Sequence, residues 1–260
     1  MRRSLAIGVA IAVALGSGSA DARTHRKATE PSGTNIAAAV ASPRRSADNV
    51  KLDASRRPAD LLAFLGLKAG MRVADMFGVN HYWAEIFAQA VGPRGQVVVW
   101  EPSQFYRAKA QADFATFAAS RPNVAIVVSP FATPTLAPRS FDFMLINLDY
   151  HDTYWEAAKY GIPRMEPDAW LKTIFAAMKP GAIVGVVDHV GPAGDPRAIV
   201  EKLHRIDPAR VRADFERAGF VLDGQSDLLR NPADDHSLLV FDPAIRGKTD
   251  RFVYRFRKPR

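Results

Sequence analysis

Four short apolar runs in this 260-residue chain each end in groups able to do chemistry. Asp75 closes MRVAD and Glu101 closes QVVVWE. Asn147, Asp149, His151 and Asp152 follow FDFMLI, and Asp188 with His189 closes AIVGVVDH. One acid after an apolar run carries little information, because Asp and Asn begin loops everywhere. Four such endings together describe a rim that can hold a ligand. A carboxylate accepts both hydrogen bonds of a vicinal diol, which suits Glu101 to the ribose of a cofactor. Asp75 either positions the turn that follows it or caps the next helix. An imidazole is the natural general base near neutral pH. His151, with Asp149 or Asp152 to orient its ring, comes first for that role and His189 second; for each, a structural histidine fixing a loop is the plainer alternative. Histidines and aspartates at several places also admit a divalent metal. No His-x-x-x-His spacing occurs, however, so no metal is expected.

The elements that must carry these residues alternate in type. Leu61, Leu62, Phe64 and Leu65 give a short helix after Pro58 that closes near Gly66 to Gly70. Strands are expected over 71–75, 96–100, 124–128 and 141–148, and a fifth ends at Asp188-His189. Between them, 82–91 is helical, with Trp83, Ile86, Phe87 and Ala90 on one side. Ser103 is placed to cap a helix reaching about Ala119, with Phe105, Ala108, Ala112 and Ala115 facing inward. Pro167 to Met178 is another helix, and Asp207-Pro208 starts one that stops at Gly219. Two last strands, FVLDGQSDLL and RFVYRF, flank a long polar loop from Arg230 to Asp250. The charges of that loop either reach a substrate or, by preference, pair with each other. Continuously apolar strands alternating with helices imply a parallel sheet covered on both faces. The expected fold is α/β, a Rossmann-like doubly wound sheet of seven strands, mostly parallel with an antiparallel last strand. In such sheets ligands sit outside the carboxyl ends of the strands.

The beginning of the chain reads differently. Arg2-Arg3, an apolar run from Leu5 to Leu15 and small residues Gly18-Ser19-Ala20 have the pattern of a secretory signal peptide over 1–20. The run is too short for a bilayer core of about 30 Å, so no stable membrane span is expected. Residues 21–50, rich in Ala, Ser, Thr, Pro and Arg, read as a flexible linker, leaving 51–260 as one domain. Seven Arg/Lys stand against three acids in the first 50 residues, which is half of the net charge of +8. The remainder forms no basic stripe interleaved with aromatics, and nucleic-acid binding is not expected. There is no cysteine, hence no disulfide and no lipid-anchor thiol. A periplasmic or secreted protein is the expectation.

The order of elements, the terminal strand pair and the rim acids resemble a class I S-adenosylmethionine-dependent methyltransferase. More narrowly, RVADMF…YWAEIFAQAVGPRGQVVVWEP, LDYHD, LKTIFAAMKPGAIVGVVDH, LHRIDPARVRADFERAGF and SDLLRNPADDHSLLVFDPAIRGKTDRFVYRFRKP resemble the exported methyltransferases of bacteria. The resemblance runs from about Pro58 to Pro259. It implies S-adenosylmethionine as cofactor, held by Asp75, Gly78, Asn80, Glu101 and Asn147, and a small molecule or envelope component as methyl acceptor. It implies a catalytic group among His151, Asp149, Asp152 and His189. Members of that family place several consecutive glycines where this chain has Val79-Asn80-His81. Gly78 is then expected to supply the one bend, and the side chains after it either leave room for the cofactor or fill its space. In the second case the chain keeps the fold as a catalytically inactive binding protein. No G-x-G-x-x-G follows the first strand, which leaves a dinucleotide-dependent oxidoreductase as a weak third reading.

Overall fold

The computed structural model describes residues 33–260 except Val79; the signal-peptide reading lies outside the described residues. Seven strands form one sheet in the order β3-β2-β1-β4-β5-β7-β6. Their ranges are β1 Arg72–Met76, β2 Gln96–Pro102, β3 Val124–Ser129, β4 Phe141–Asn147, β5 Met178–His189, β6 Val221–Ser226 and β7 Arg251–Arg257. The β1–β2, β1–β4, β2–β3 and β4–β5 pairs are parallel. Only β7 runs antiparallel to its neighbours β5 and β6. This is the fold expected from the alternation of apolar strands and helices. The order reverses beside β1, so the ends of β1, β2 and β4 open the crevice where a ligand sits in such sheets.

Nine helices of the described residues, α1 to α9, flank the sheet. Packed around one face are α4 Pro58–Leu65, α5 Tyr82–Ala90 and α6 Ala108–Ala119, with Leu61, Phe87, Phe114 and Phe143 in a shared core. The opposite core joins Trp100, Trp170, Phe215 and Phe256 and is covered by α7 Pro167–Ala177, α8 Pro196–Leu203 and α9 Pro208–Arg217. Asp207 accepts from the Ala209 N–H at 2.8 Å, so α9 begins on the expected cap with proline in its first turn.

The structure corrects two parts of the sequence reading. Residues 33–50 are not free linker: α1 Gly33–Val40 buries Ile36 and Ala39, and α2 Ala47–Val50 and α3 Asp53–Arg56 follow at once. Arg45 is buried with two 2.7 Å hydrogen bonds to Asp53, and Asn49 donates to the carbonyl of Asn80 and to Glu85, both at 3.0 Å. An alanine- and serine-rich segment thus fixes the turn after β1. The second correction concerns α6, which starts at Ala108 without a side-chain cap and buries Phe114 and Phe117. Ala108, Ala112 and Ala115 face solvent, because two aromatics bury more apolar surface than any alanine face of the helix offers.

Gly78 also behaves differently from its expected role. The positive φ angles of the turn belong to Phe77 (61°) and His81 (57°), not to Gly78. What demands glycine is space: a Cβ there would lie 2.0 Å from Cγ1 of Val99 in β2. Valine is stiff at χ1 and cannot easily yield. Gly78→Ala is expected to cost about 1–3 kcal/mol, the usual scale of overpacking. Urea denaturation measures this, and a loss below about 0.5 kcal/mol, the scale of an ordinary surface change, would show that β2 gives way freely.

Candidate functional site

Two adjoining cavities open over the carboxyl ends of the strands. The first, of about 320 Å³, lies above β1, β2 and β4, with Arg56, Asn80, Glu101, Asn147 and Asp149 as polar lining. Phe77, Trp83 and Phe105 supply apolar walls. The second, of about 550 Å³, adds His151, His189, His204, Trp155, Tyr160 and Phe241. Phe105, Leu148, Asp149 and Asp152 belong to both. Both volumes lie in the range of about 300–1,000 Å³ usual for small-molecule sites.

Glu101 is fully buried at the end of β2, and among the described residues neither carboxyl oxygen has a hydrogen-bond partner. Burial, with a smaller contribution from the Asp75 charge, pushes its pKa up to about 8. A buried polar group without a partner is costly, and native structures keep few of them. Two unpaired oxygens facing a cavity are what a vicinal diol would satisfy. Asp75 is buried too but stands outside the cavity lining, under the turn. Burial raises it to about 7, opposed by a hydrogen bond from the Ala84 backbone at the start of α5. It belongs to the turn and the start of α5 rather than to the cavity wall.

The turn leaves the first cavity open at both of its described residues after Gly78. His81 swings outward, stacking on Phe117 at 4.4 Å and meeting Phe114 edge-on at 4.5 Å. Asn80 is exposed, and its side-chain oxygen accepts from the Tyr82 N–H at 3.3 Å, turning back along its own loop. Val79 lies outside the described residues. Phe77 and Leu148, at the ends of β1 and β4, are both bulky residues with positive φ (61° and 66°). Such strain concentrates at ligand sites, and both residues line the first cavity.

Sequence reasoning missed Arg56. It lines the first cavity, its guanidinium 4.2 Å from the Tyr82 ring centroid, and among the described residues it has no side-chain hydrogen bond or ion pair. Burial lowers its pKa, and Tyr82, Asp149 and Asp75 counteract that. A cation in a cavity beside an unpaired carboxylate can hold a zwitterionic or anionic ligand. Nothing in ASRRPADLL marks this arginine out from its neighbour Arg57, which pairs with Asp60 on the surface at 2.8 Å.

The expected imidazole pair is present, with a different orienting acid. His151 and Asp152 lie on a single turn of 3₁₀ helix, His151–Tyr154. Asp188 holds His151 by accepting from its backbone N–H at 2.9 Å and pairing with Nδ1 at 2.8 Å. Asp152 lies 3.3 Å from Nε2. Burial works against protonation of His151, yet Asp188, Asp152 and Asp149 outweigh it and raise the pKa to about 9. His189 is the opposite case: burial holds it neutral, with a pKa near 3, while Nδ1 pairs with Thr249 Oγ1 at 2.7 Å. Neither imidazole is poised near neutrality. Asp149 shares no hydrogen bond with either ring; burial, Asp152 and Asp188 raise its pKa well above the usual carboxylate range. It is also the titratable group that, with Asp152, lines both cavities.

The long polar segment before β7 turns several of its charges to protein partners. Arg205 and Asp234 form a buried bidentate pair at 2.9 Å, and Asp250 accepts from Arg230 at 2.8 Å and pairs with His236 at 3.0 Å. Its contribution to the second cavity is apolar, through Val240 and Phe241. Trp100, a neighbour of Glu101, is core and donates to Ser129 at 2.7 Å.

The unpaired Glu101 has a consequence for the ligand-free protein. Its carboxyl ionises near 4.5 unfolded and near 8 folded, so the folded state holds the extra proton between those values. By linkage, stability falls as pH rises through that window, by an amount on the order of a few kcal/mol. Glu101→Gln removes this share. The variant is expected to melt higher than wild type at pH 8–9 and to differ little at pH 4.5. Melting curves across this range check it; equal pH slopes for the two proteins would contradict it.

No family model matches this sequence, and no curated protein sequence matches it. Solved structures do. A SAM dependent methyltransferase from Aquifex aeolicus superposes with a TM-score of 0.56 at 16% identity, covering 87% of this chain and 98% of that one. An S-adenosylmethionine dependent methyltransferase from Mesorhizobium loti gives 0.55 at 14% identity over 80% of this chain and all of its own. The [4+2]-cyclase SpnF gives 0.55 at 17% identity, with 84% of each chain covered. At these identities the likeness is one of fold: the seven-stranded Rossmann-like sheet of the methyltransferases.

Proposed function

We propose that the domain is an S-adenosylmethionine-dependent methyltransferase, with the cofactor in the first cavity and a small-molecule or envelope acceptor in the second. The observation that carries this reading is Glu101, a buried carboxyl with both oxygens unpaired at the end of β2. That is where sheets of this kind grip a ribose diol. The fold shared with methyltransferases supports it. When bound, the cofactor supplies an electrophilic methyl group on its sulfonium. The chain's own residues do the rest. Glu101 accepts both ribose hydroxyls, and Arg56 pairs with the carboxylate of the methionine portion. Trp83 and Phe105 exclude water from the apolar parts. Asp149, at the junction of the cavities, takes the proton of the acceptor at a carboxyl oxygen; burial and the neighbouring acids raise its pKa and so make its carboxylate a stronger base. Asp188 positions His151 beside the acids around the acceptor.

Thermal melting tests the cofactor class. A ligand at a hundred times its Kd adds about 2.7 kcal/mol, so S-adenosylmethionine and S-adenosylhomocysteine are expected to raise the melting temperature by several degrees. ATP and NAD are expected not to. Equal shifts with all four, or none, would contradict the reading. The reading includes export to the periplasm or beyond, supported by the basic start, apolar run and small residues of the first 20 positions. Among the described residues no helix is long and apolar enough to cross a membrane. Cell fractionation followed by blotting is expected to place a shortened protein in the periplasmic fraction; a full-length cytoplasmic band contradicts export.

A further inference from the structure

We propose that His151, Asp152 and His204 bind one divalent transition-metal ion on the wall of the second cavity, where the ion holds an oxygen of the acceptor. The ion site stands by itself; its use on an acceptor rests on the methyltransferase reading. The three side chains offer ligand atoms that all lie within 4.8 Å of one another. Asp152 Oδ1 is 3.3 Å from His151 Nε2 and 3.5 Å from His204 Nδ1. Ligands at about 2.0–2.2 Å from a tetrahedral ion stand about 3.4 Å apart, so both spacings are those of ligands around one ion.

Three further observations belong to such a site. Asp188 pairs with Nδ1 of His151 at 2.8 Å, which leaves Nε2 as the ligand nitrogen and fixes the ring. A carboxylate behind a ligating histidine is the usual supporting contact at metal centres. Asp152 Oδ1, although buried, has no hydrogen-bond partner among the described residues. His204 ends α8 with φ 48°, a left-handed position usually given to glycine. Its ring is held edge-on by Trp155 at 5.0 Å and lies 5.2 Å from Phe241, with no hydrogen bond of its own among the described residues. A strained backbone that delivers an otherwise unoccupied imidazole to an unpaired carboxylate has a ready explanation as a ligand.

The donor set names the class of ion. Two imidazoles and one carboxylate select borderline ions such as Zn²⁺, Co²⁺ or Fe²⁺ over Mg²⁺ or Ca²⁺, which prefer all-oxygen shells. Three protein ligands leave a coordination position open, and all three residues line the second cavity. The open position therefore favours an acceptor with an ionisable hydroxyl, such as a phenol or hydroxy acid, over an amine or a carbon nucleophile.

The test uses the full chain, stripped with a chelator and titrated with Co²⁺ in the absence of any methyl donor. One equivalent is expected to give the visible absorption of a four- or five-coordinate ion, displaced by one equivalent of Zn²⁺ and untouched by millimolar Mg²⁺. His204→Ala and Asp152→Asn, the less buried ligands, are each expected to weaken Zn²⁺ binding at least tenfold with unchanged circular dichroism. His236→Asn, whose ring pairs with Asp250, is expected to leave it unchanged. Acetohydroxamate, an oxygen chelator, is expected to shift the Co²⁺ spectrum. No saturable absorption, or absorption that survives both ligand substitutions, overturns the site and leaves a His–Asp–His cluster that holds no ion. A spectrum unmoved by acetohydroxamate overturns the open position. Because no methyl donor enters the titration, failure of the cofactor reading leaves this result intact.

Discussion

Glu101→Ala is expected to weaken S-adenosylmethionine binding at least a hundredfold, the largest effect of any single substitution in the first cavity. Its two oxygens have no partner among the described residues, so a bound diol gains two hydrogen bonds to a buried charge. Hydrogen bonds to charged groups contribute about 1.5–3 kcal/mol each, and a factor of one hundred is about 2.7 kcal/mol. Removal of the carboxyl also spares the ligand-free protein a burial cost, so the loss falls on affinity rather than on folding. The pH dependence follows from the same group. Hydroxyls donate best to the ionised carboxylate, and the free carboxyl ionises only near pH 8. Binding below that pH must expel a proton, so affinity is expected to rise from pH 6 to 8 and level off above. Equilibrium dialysis with labelled cofactor at each pH reads both effects. Unaltered affinity in the variant, or a flat profile in wild type, would place the ribose elsewhere.

The second large effect is expected at Asp149. Asp149→Asn keeps the shape and removes the proton acceptor at the junction of the two cavities. General-base contributions are typically about 10²–10⁴ in rate, and a loss in that range is expected in kcat. Cofactor affinity is expected to change little. Label transfer from methyl-labelled cofactor into a pooled extract of envelope and small molecules provides the rate before the acceptor is known. In wild type the rate is expected to fall on the acid side, as a carboxyl with a pKa raised well above its ordinary value takes up its proton. A variant with full rate would remove Asp149 from the proton path. Loss of cofactor affinity in place of rate would make it a binding group.

The sheet and its rim were legible in the sequence because both depend on local pattern. Each of the parallel strands is a nearly unbroken apolar run, as burial on both faces demands of β1, β2 and β4, and the acids that follow most of them mark the ends. Glu101, Asn147 and Asp149 were located on that logic and line the first cavity. What resisted was anything set by the direction of a side chain. His81 reads as an obstacle in a glycine turn, yet it leaves the cavity because Phe114 and Phe117 of α6 offer it a better surface. Gly78 reads as the one bend of the turn and is instead a residue kept small by the approach of Val99. Arg45 and Asn49 have the composition of a linker, and only Asp53, Glu85 and the Asn80 carbonyl turn them into the support of the turn. Of the two expected partners of His151, Asp152 lies beside Nε2 and Asp149 bonds neither nitrogen; Asp188 takes Nδ1 because β5 lies beside β4, a neighbour relation that no spacing along the chain encodes. His204 arrives from the end of a helix that the sequence reading did not include, and its partners exist only in the folded chain.

Isothermal titration of the full-length protein with S-adenosylhomocysteine at pH 8 tests the cofactor site most directly. One site per chain with a micromolar Kd, weakened at least a hundredfold in Glu101→Ala, is the expected result. An absence of heat at millimolar ligand, from protein shown to be folded, would contradict it and leave the buried carboxyl without its partner.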